Sequence, residues 1–582
     1  MNPPNIEHIR HSLAHLLAAA ILEIHPDTKL TIGPAIDNGF YYDFDFSSPL
    51  SDKDLPVIEK KMKSILKHWD KFTHKEVSVS EAKEMYKDNP YKTELIEEIE
   101  KKGEKITLYT CGKFTDLCRG GHVENPGKEI ASDSFKLDRI AGAYWRGDEK
   151  NKMLTRVYGL AFGTKEELVA YATMQEEAKK RDHRELGRLL ELFTFDEEIG
   201  PGLPIWLPKG NIIKEELENW AKETEKERGY KRVTTPIITK ESLFYTSGHL
   251  PLYKDNMYAP LKIENDNYYI KPMNCPFHHK VFSSSSRSYR ELPLRIAEYG
   301  WCHRYEDSGS LFGMMRVRGM QMNDAHIYAT HEQAVEEFVN VIKLHEYYYK
   351  ILGIKKYEMI LALRDPKNMA KYHGEESDWK LAEEMTLKAM ELSGVPYKVV
   401  HEGAAFYGPK MDFEIYSSIG RSFTASTNQL DLFMGKRFKL EYIDKDGERK
   451  TPVIIHRAPL GTHERFIGFL IEHYAGAFPA WLAPVQVALV PVSEKFDDYA
   501  KSVFEKLKSA DIRVEMSVAN ESLGKRIRAA ETQKIPYIGV IGEKEVEAGT
   551  VSIRARGGKD LGTLKIDEFV KNLQTEISER RG

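Results

Sequence analysis

Two histidines four residues apart, in His11-Ser12-Leu13-Ala14-His15, are the first residues able to do chemistry. On a helix, positions i and i+4 share a face, so both imidazoles point at one spot. The spacing recurs in Cys118-Arg119-Gly120-Gly121-His122, with Asp116 just ahead. Three imidazoles and a thiol can bind zinc, or they can activate a water as base and acid. Either pair alone is as readily a packed or exposed pair; both within one domain favour a site.

A second set suits phosphate. Leu294 to Glu306 reads as a strand in which Arg304 and Glu306, two positions apart, aim at one ligand. The loop Asp307 to Gly313 is rich in glycine and serine, and Arg316 and Arg318 follow it. Arginines around a flexible loop suit polyphosphate, because guanidinium grips phosphate oxygens bidentately and stays charged. Gly461-Thr462-His463-Glu464-Arg465 places one more arginine at the start of an expected helix.

The elements that must carry these groups follow from pattern. Residues 1–165 mix helices with short strands such as Phe40-Tyr41-Tyr42-Asp43-Phe44. Leu16 to Ile24 is far short of the ~20 apolar residues of a membrane span. It lacks a small-residue cleavage site, so the opening segment predicts an amphipathic helix, not a signal peptide. Lys165 to Leu192 is charged with few breakers and predicts one connecting helix within 166–203, closed by Gly200-Pro201-Gly202. Residues 204–483 alternate strands (Tyr268 to Ile270, Lys398 to Val400, Val453 to Ile455) with a few helices, predicting a large α+β domain on a mostly antiparallel sheet. From Val485 the order strand, helix, strand, helix, strand predicts a small parallel-sheet domain over 484–582.

Composition narrows the class. Lys plus Arg total 85 against 89 Asp plus Glu in 582 residues, a net charge of −4 that excludes a polycation and permits a local basic patch. Four cysteines cannot staple a chain this long, so a reducing, cytoplasmic compartment is expected.

Further motifs carry a resemblance. Lys271-Pro272-Met273-Asn274-Cys275-Pro276, Asp324-Ala325-His326, Phe406-Tyr407-Gly408-Pro409-Lys410, Ile455-His456-Arg457-Ala458 and Arg181-Asp182-His183-Arg184 occur in this order with the two sets above. Over nearly its whole length the chain resembles class II aminoacyl-tRNA synthetases, and among them the threonyl-tRNA synthetases. The resemblance implies an N-terminal α+β editing domain, a class II antiparallel-sheet catalytic core and a C-terminal α/β anticodon-binding domain. It also implies a form without the small domain that many bacterial members carry ahead of the editing helix, and a homodimer formed through motif 1 around Thr235-Pro236.

Residue roles come from the same resemblance. Cys275, His326 and His456 match zinc ligands, one zinc per chain. Arg304 and Glu306 match motif 2, and Arg465 matches motif 3, with Mg2+ accompanying ATP. Met273, Asp324, Tyr407, Lys410, Arg316, Gln429 and Thr462 match substrate-binding positions, and His249 the residue that assists proton removal from the tRNA ribose. His11, His15, Lys92, Asp116, Cys118 and His122 match the editing site, which in the family works without metal. Asn520, Glu545 and Arg554 match positions that contact the anticodon, while Lys525, Arg526 and Arg528 form a cluster suited to tRNA phosphates.

Physical chemistry explains the pairing of zinc with editing. An apolar pocket separates threonine from isosteric valine by only about a hundredfold. Chelation through amino and hydroxyl groups excludes valine, which has no hydroxyl. Serine keeps the hydroxyl and lacks only a methyl, worth roughly 1–3 kcal/mol, so a second hydrolytic sieve is needed. The expected activity is therefore threonylation of tRNA(Thr) from L-threonine and ATP, with hydrolysis of seryl-tRNA(Thr). The chain departs from the family at Met320, where an aromatic residue is expected against adenine, and at Met322 and Thr424, where glutamines are expected. These departures leave room for a non-catalytic tRNA-binding paralogue. A class II synthetase for serine or proline is a further alternative, which the editing motifs and the Cys/His/His set disfavour.

Overall fold

The computed structural model describes residues 5–416 and 422–581; residues 1–4 and 582, the outer ends of the expected first and last domains, lie outside it. The chain forms two compact units, Met1–Glu176 and Glu177–Gly582.

In the first unit, the helix Ile6–Ile24 starts at Asn5, whose side chain accepts the Glu7 N–H at 2.9 Å. The expected amphipathic helix is in fact a core helix, buried without interruption from Ser12 to Ile21. It packs between the helix Leu55–Leu66 and a sheet whose main strands are Gly39–Asp45, Met153–Ala161 and Phe135–Tyr144, so more than one of its faces needs apolar residues. His11 and His15 share the helix face that looks toward a second, three-stranded sheet of Thr73–Val77, Ile106–Cys111 and Phe114–Leu117. Asp116 lies in its last strand and Cys118 just beyond. Gly120 and Gly121 then adopt φ of 98° and 87°, a turn that L side chains resist. The four-residue spacing of Cys118 and His122 is thus a glycine turn and not a helical period.

The connecting segment differs from the single helix expected. The helix Lys165–Lys180 stops, and a second helix, His183–Leu189, begins after Asp182. The Asp182 carboxylate accepts the Arg184 N–H at 2.8 Å, and this N-cap competes with continuation of the first helix.

The second unit is organised by an eight-stranded sheet in the order Lys231–Arg232, Leu294–His303, Gly319–Ala329, Val453–Ala458, Ser422–Asp431, Lys410–Tyr416, Tyr357–Ala362, Tyr397–Val400. Only the outermost pair at each end is parallel. Strand alternation divides the two faces. Ala325, Ile327, Ile455, Leu430, Met411 and Phe413 join the core with Phe338 and Ile342 of the helix His331–Ile351. The intervening residues Asp324, His326, His456, Gln429, Lys410 and Asp412 take the opposite face.

A five-stranded sheet follows near the C-terminus, ordered Val514–Met516, Val487–Pro491, Tyr537–Ile541, Thr550–Ala555, Lys559–Lys565. The parallel sheet expected here is mixed: the first two junctions are parallel and the last two antiparallel. The final two strands are joined through Gly557 and Gly558, both at positive φ, and so short a connection only permits antiparallel pairing. Among the described residues, no helix is long and apolar enough to cross a membrane.

Candidate functional site

A cleft of about 310 Å³ opens on the polar face of the large sheet. At its base, His326 and His456 are direct register partners on neighbouring antiparallel strands, and Cys275 is the first residue of the helix Cys275–Phe282. Their donor atoms lie within 4.8 Å of one another. The outer nitrogens are occupied. His326 Nδ1 is 2.8 Å from His278 Nδ1, whose ring reaches Glu298 through Nε2 at 3.2 Å. His456 Nε2 donates to Asp431 Oδ2 at 2.9 Å. The inner nitrogens, His326 Nε2 and His456 Nδ1, are buried and have no partner. Buried polar atoms of this kind take a partner, an ion or an ordered water. Two imidazoles oriented from behind, with one thiol, suit zinc and leave a fourth position open. Burial pushes the Cys275 thiol well up and the His326 imidazole well down.

Around this base, Asp324 accepts a hydrogen bond from Asn274 Nδ2 at 3.0 Å, and burial raises its pKa. The Tyr407 hydroxyl donates to Gln429 Oε1, and its ring stands 4.9 Å from that of His456. Lys410 pairs with Asp412 at 2.7 Å. Met273 and Met322 line the cleft with Met320, which is buried against Cys302 and Val317. Thr424 reaches the cleft because a bulge near Phe413/Glu414 shifts the strand register, and its hydroxyl donates to Glu414. His249 is buried beside Met273, with Nδ1 2.8 Å from Ser247 Oγ, and burial, reinforced by Arg304, pushes it down to about 4.

The other end of the cleft is cationic. Arg304, Arg316 and Arg465 line it with Glu306, which accepts a hydrogen bond from Arg316 Nε at 2.9 Å and stands 2.8 Å from its Nη2 as an ion pair. Arg304 and Glu306 lie past the strand Leu294–His303, so strand alternation does not aim them as expected. The turn does: Arg304 N–H donates to Arg318 O at 2.9 Å, closing the loop. Thr462 caps the helix His463–Tyr474 by accepting the Arg465 N–H at 3.2 Å, and Arg465 Nε donates to Met315 O at 3.1 Å. Desolvation in the cleft and the charges of Arg304 and Arg316 lower the Arg465 pKa. Three guanidiniums this close call for a polyanion.

The first unit holds a cavity of about 640 Å³ lined by His11, His15, Lys92, Asp116 and Cys118. His11 Nε2 lies 3.2 Å from His15 Nε2 and 3.5 Å from Cys118 Sγ, which is 3.6 Å from His122 Nε2. Behind them, Lys92 Nζ is 2.5 Å from Asp116 Oδ1, and the Tyr42 hydroxyl donates to Asp116 Oδ2 at 2.7 Å. Burial lowers His11 and His15, takes His122 down to about 2, and pushes the Cys118 thiol up to about 11. Neutral imidazoles beside a protonated thiol are proton acceptors, not a thiolate nucleophile. The four donor atoms are close enough for a metal. Of the outer nitrogens, however, His122 Nδ1 has no hydrogen-bond partner, and His15 Nδ1 stands 3.7 Å from Asp116 Oδ2, beyond hydrogen-bond reach, so neither is oriented as metal-bound imidazoles are.

Known proteins match this architecture. Residues 259–474 match the family model described as tRNA synthetase class II core domain (G, H, P, S and T), 486–576 the anticodon binding domain, and 106–158 the threonyl and alanyl tRNA synthetase second additional domain. The chain is 47% identical over 573 residues to the threonine–tRNA ligase of Listeria welshimeri and 48% identical over 588 residues to that of Thermus thermophilus. Each match covers 98% of this chain and 89% of the relative. It belongs to the threonine–tRNA ligases. Among solved structures it is similar to the RNA binding domain of threonyl-tRNA synthetase from Cryptosporidium parvum, with TM-score 0.65 and 36% identity over 68% of this chain and 98% of that one. A putative threonyl-tRNA synthetase from Aeropyrum pernix gives TM-score 0.60 and 29% identity over 69% and 95%.

Of the residues that resemblance to threonine–tRNA ligases assigned to tRNA, one has another task. Arg526 is buried, and its guanidinium donates to the carbonyls of Pro491 (2.7 Å), Val492 (3.2 Å) and Glu521 (3.1 Å). It ties the helix Leu523–Thr532 to the sheet and is not available to a phosphate. Lys525, Arg528, Asn520 and Arg554 are exposed; Lys525 pairs with Glu521, and Glu545 accepts the Gly542 N–H at 2.9 Å. The residues that support the candidate metal ligands, His278, Glu298 and Asp431, were not singled out from sequence. The Cys-Pro-Phe-His run carried the only signal: on a helix, Cys275 and His278 are i and i+3 and share a face.

Proposed function

We propose that the chain activates L-threonine with ATP and transfers it to tRNA(Thr) in the second unit, and hydrolyses seryl-tRNA(Thr) in the first. The convergence of Cys275, His326 and His456 at the base of a cleft whose far end is lined by Arg304, Arg316 and Arg465 carries this reading. Cys275, His326 and His456 would hold a zinc ion, which would supply Lewis acidity where threonine binds. Asp324 takes the amino group by charge, and Tyr407 with Gln429 closes the side-chain pocket. Arg304 offsets charge growing on the α-phosphate during attack by the carboxylate, Arg465 holds the γ-phosphate, and Glu306 orients adenine. Mg2+ accompanies the nucleotide. His249, held neutral by burial, accepts the ribose hydroxyl proton during transfer.

At the first site, His11, His15 and His122 position and deprotonate a water without metal, while the Lys92–Asp116 pair fixes the cavity floor. Lys525, Arg528, Asn520, Glu545 and Arg554 meet the tRNA. The domain limits of this reading are 1–165 for editing, 166–203 for the connection, 204–483 for synthesis and 484–582 for the anticodon. The enzyme works as a cytoplasmic homodimer joined near Thr235-Pro236. ATP–pyrophosphate exchange across the amino acids tests the reading: threonine should support it, serine weakly, valine and proline not. Exchange with proline or serine in preference to threonine would overturn it.

A further inference from the structure

The Arg181-Asp182-His183-Arg184 motif has no part in the mechanism above, yet His183 is fully buried at a junction of the nucleotide site. Its Nδ1 lies 2.8 Å from Glu472 Oε1, and its Nε2 accepts the Met314 N–H at 3.1 Å. A carboxylate only accepts and a backbone N–H only donates, so the ring is neutral with its proton on Nδ1. Asp182, His183 and Glu472 lie close enough for a metal, but both ring nitrogens are already used. The cluster is a tie.

What it ties is specific. Met314 belongs to the loop between Glu306 and Arg318, which carries Arg316. Glu472 lies on the helix His463–Tyr474, which carries Arg465 two turns earlier. The loop comes so close that a Cβ on Gly313, at φ 48°, would stand 2.3 Å from His183 Nε2. Arg184 places its guanidinium 4.6 Å over the Phe312 ring. Farther on, Gly202 O accepts the Arg318 N–H at 2.6 Å. The segment from Asp182 to Gly202 therefore holds the loop at Phe312, at Met314 and at Arg318.

We propose that His183 is a positioning residue for ATP: it touches no nucleotide, but sets Arg316 and Glu306 on the loop at a fixed distance from Arg465 on the helix. The proposal rests on the reading of the cleft as a nucleotide site. Without the tie the loop loses its anchor while the metal ligands and the threonine pocket keep theirs. The cost falls on ATP and not on the amino acid.

The test measures ATP–pyrophosphate exchange and hydrogen exchange of residues 307–318 in the full chain. His183→Phe keeps the ring and removes both hydrogen bonds. It should raise KM for ATP about tenfold, leave KM for threonine within about twofold, and speed hydrogen exchange in the loop. His183→Gln, whose carboxamide oxygen can reach the Met314 N–H, should recover part of both. Gly313→Ala leaves the buried histidine in place and forces the loop off it, so it should reproduce the ATP defect even if His183→Phe fails to fold. Unchanged KM for ATP in Gly313→Ala, or equal rises for ATP and threonine in His183→Phe, would overturn the proposal. Failure of the underlying reading looks different: ATP would then not slow hydrogen exchange of residues 307–318 in the wild-type chain.

Discussion

His326 and His456 face each other across two antiparallel strands, ring centroids 4.5 Å apart, with the nitrogens that point inward unpaired and those that point outward held. Two imidazoles fixed in this way are arranged before any ion arrives, so little ordering remains to be done on binding.

Metal should therefore depend on the outer partners as well as on the ligands. The purified chain should hold about one zinc, and His326→Ala should lose zinc and threonine activation together. Asp431→Asn leaves all three ligands but weakens the orientation of His456, and should reduce zinc affinity by about 10- to 100-fold in a chelator competition. Full threonine activation by metal-free protein would refute the assignment.

Arg304 is expected to act on charge that appears during adenylation. Arg304→Ala should lower turnover in pyrophosphate exchange by about 100-fold or more while KM for ATP changes less. Unchanged turnover with weakened ATP binding would assign it to ground-state binding instead.

The two units should separate genetically. The double variant His11→Ala with Cys118→Ala should keep threonylation near wild type and accumulate seryl-tRNA. With the Cys118 thiol pushed up to about 11, Cys118→Ser alone should deacylate nearly as fast as wild type. Deacylation of seryl-tRNA at equal rates by wild type and double variant would exclude the first unit as the second sieve.

Acid should loosen the first unit through the same histidines. Burial depresses His11 and His15 and takes His122 down to about 2, so below the free value of about 6.5 the unfolded chain binds protons that the folded one refuses. Stability is whole above about pH 6.5 and falls as pH drops toward the folded values. Thermal unfolding followed from pH 7.5 to 5 should show this slope, and His122→Gln should flatten it.

A buried ion pair holds the strand Val453–Ala458 to the helix Pro208–Glu227. Arg457, next to His456, donates to Glu225 Oε1 at 2.9 Å, with both side chains out of solvent. Glu225 also accepts from Arg232 at 3.0 Å and from Asn323 at 2.9 Å, so Glu225→Leu unpairs three donors and should cost roughly 3–5 kcal/mol in denaturant unfolding. A loss below about 1 kcal/mol would show that other groups satisfy Arg457.

Much of this protein was legible along the chain because its signals are local. His11 and His15 meet because a helix repeats every 3.6 residues, and the polar face of the large sheet follows from strand alternation through Asp324, His326 and His456. The motifs named the family, and family membership carried the ligand set. Other features depend on which distant segments meet. Thr424 does not share the parity of Thr427 and Gln429, and only a bulge opposite Glu414 brings it into the cleft. Cys118 and His122 converge through a glycine turn that helical spacing merely imitates. Arg526 looked like one of three cations on a helix, and it is buried because the carbonyls of Pro491 and Val492 happen to lie beneath it. His183 reads as one more residue of a charged connecting helix; its role appears only where Met314 and Glu472, more than a hundred residues away in sequence, close on its two nitrogens. Local periodicity is written in the order of residues. Register shifts, burial and the choice of hydrogen-bond partner are settled by the packing of segments that the order alone does not bring together.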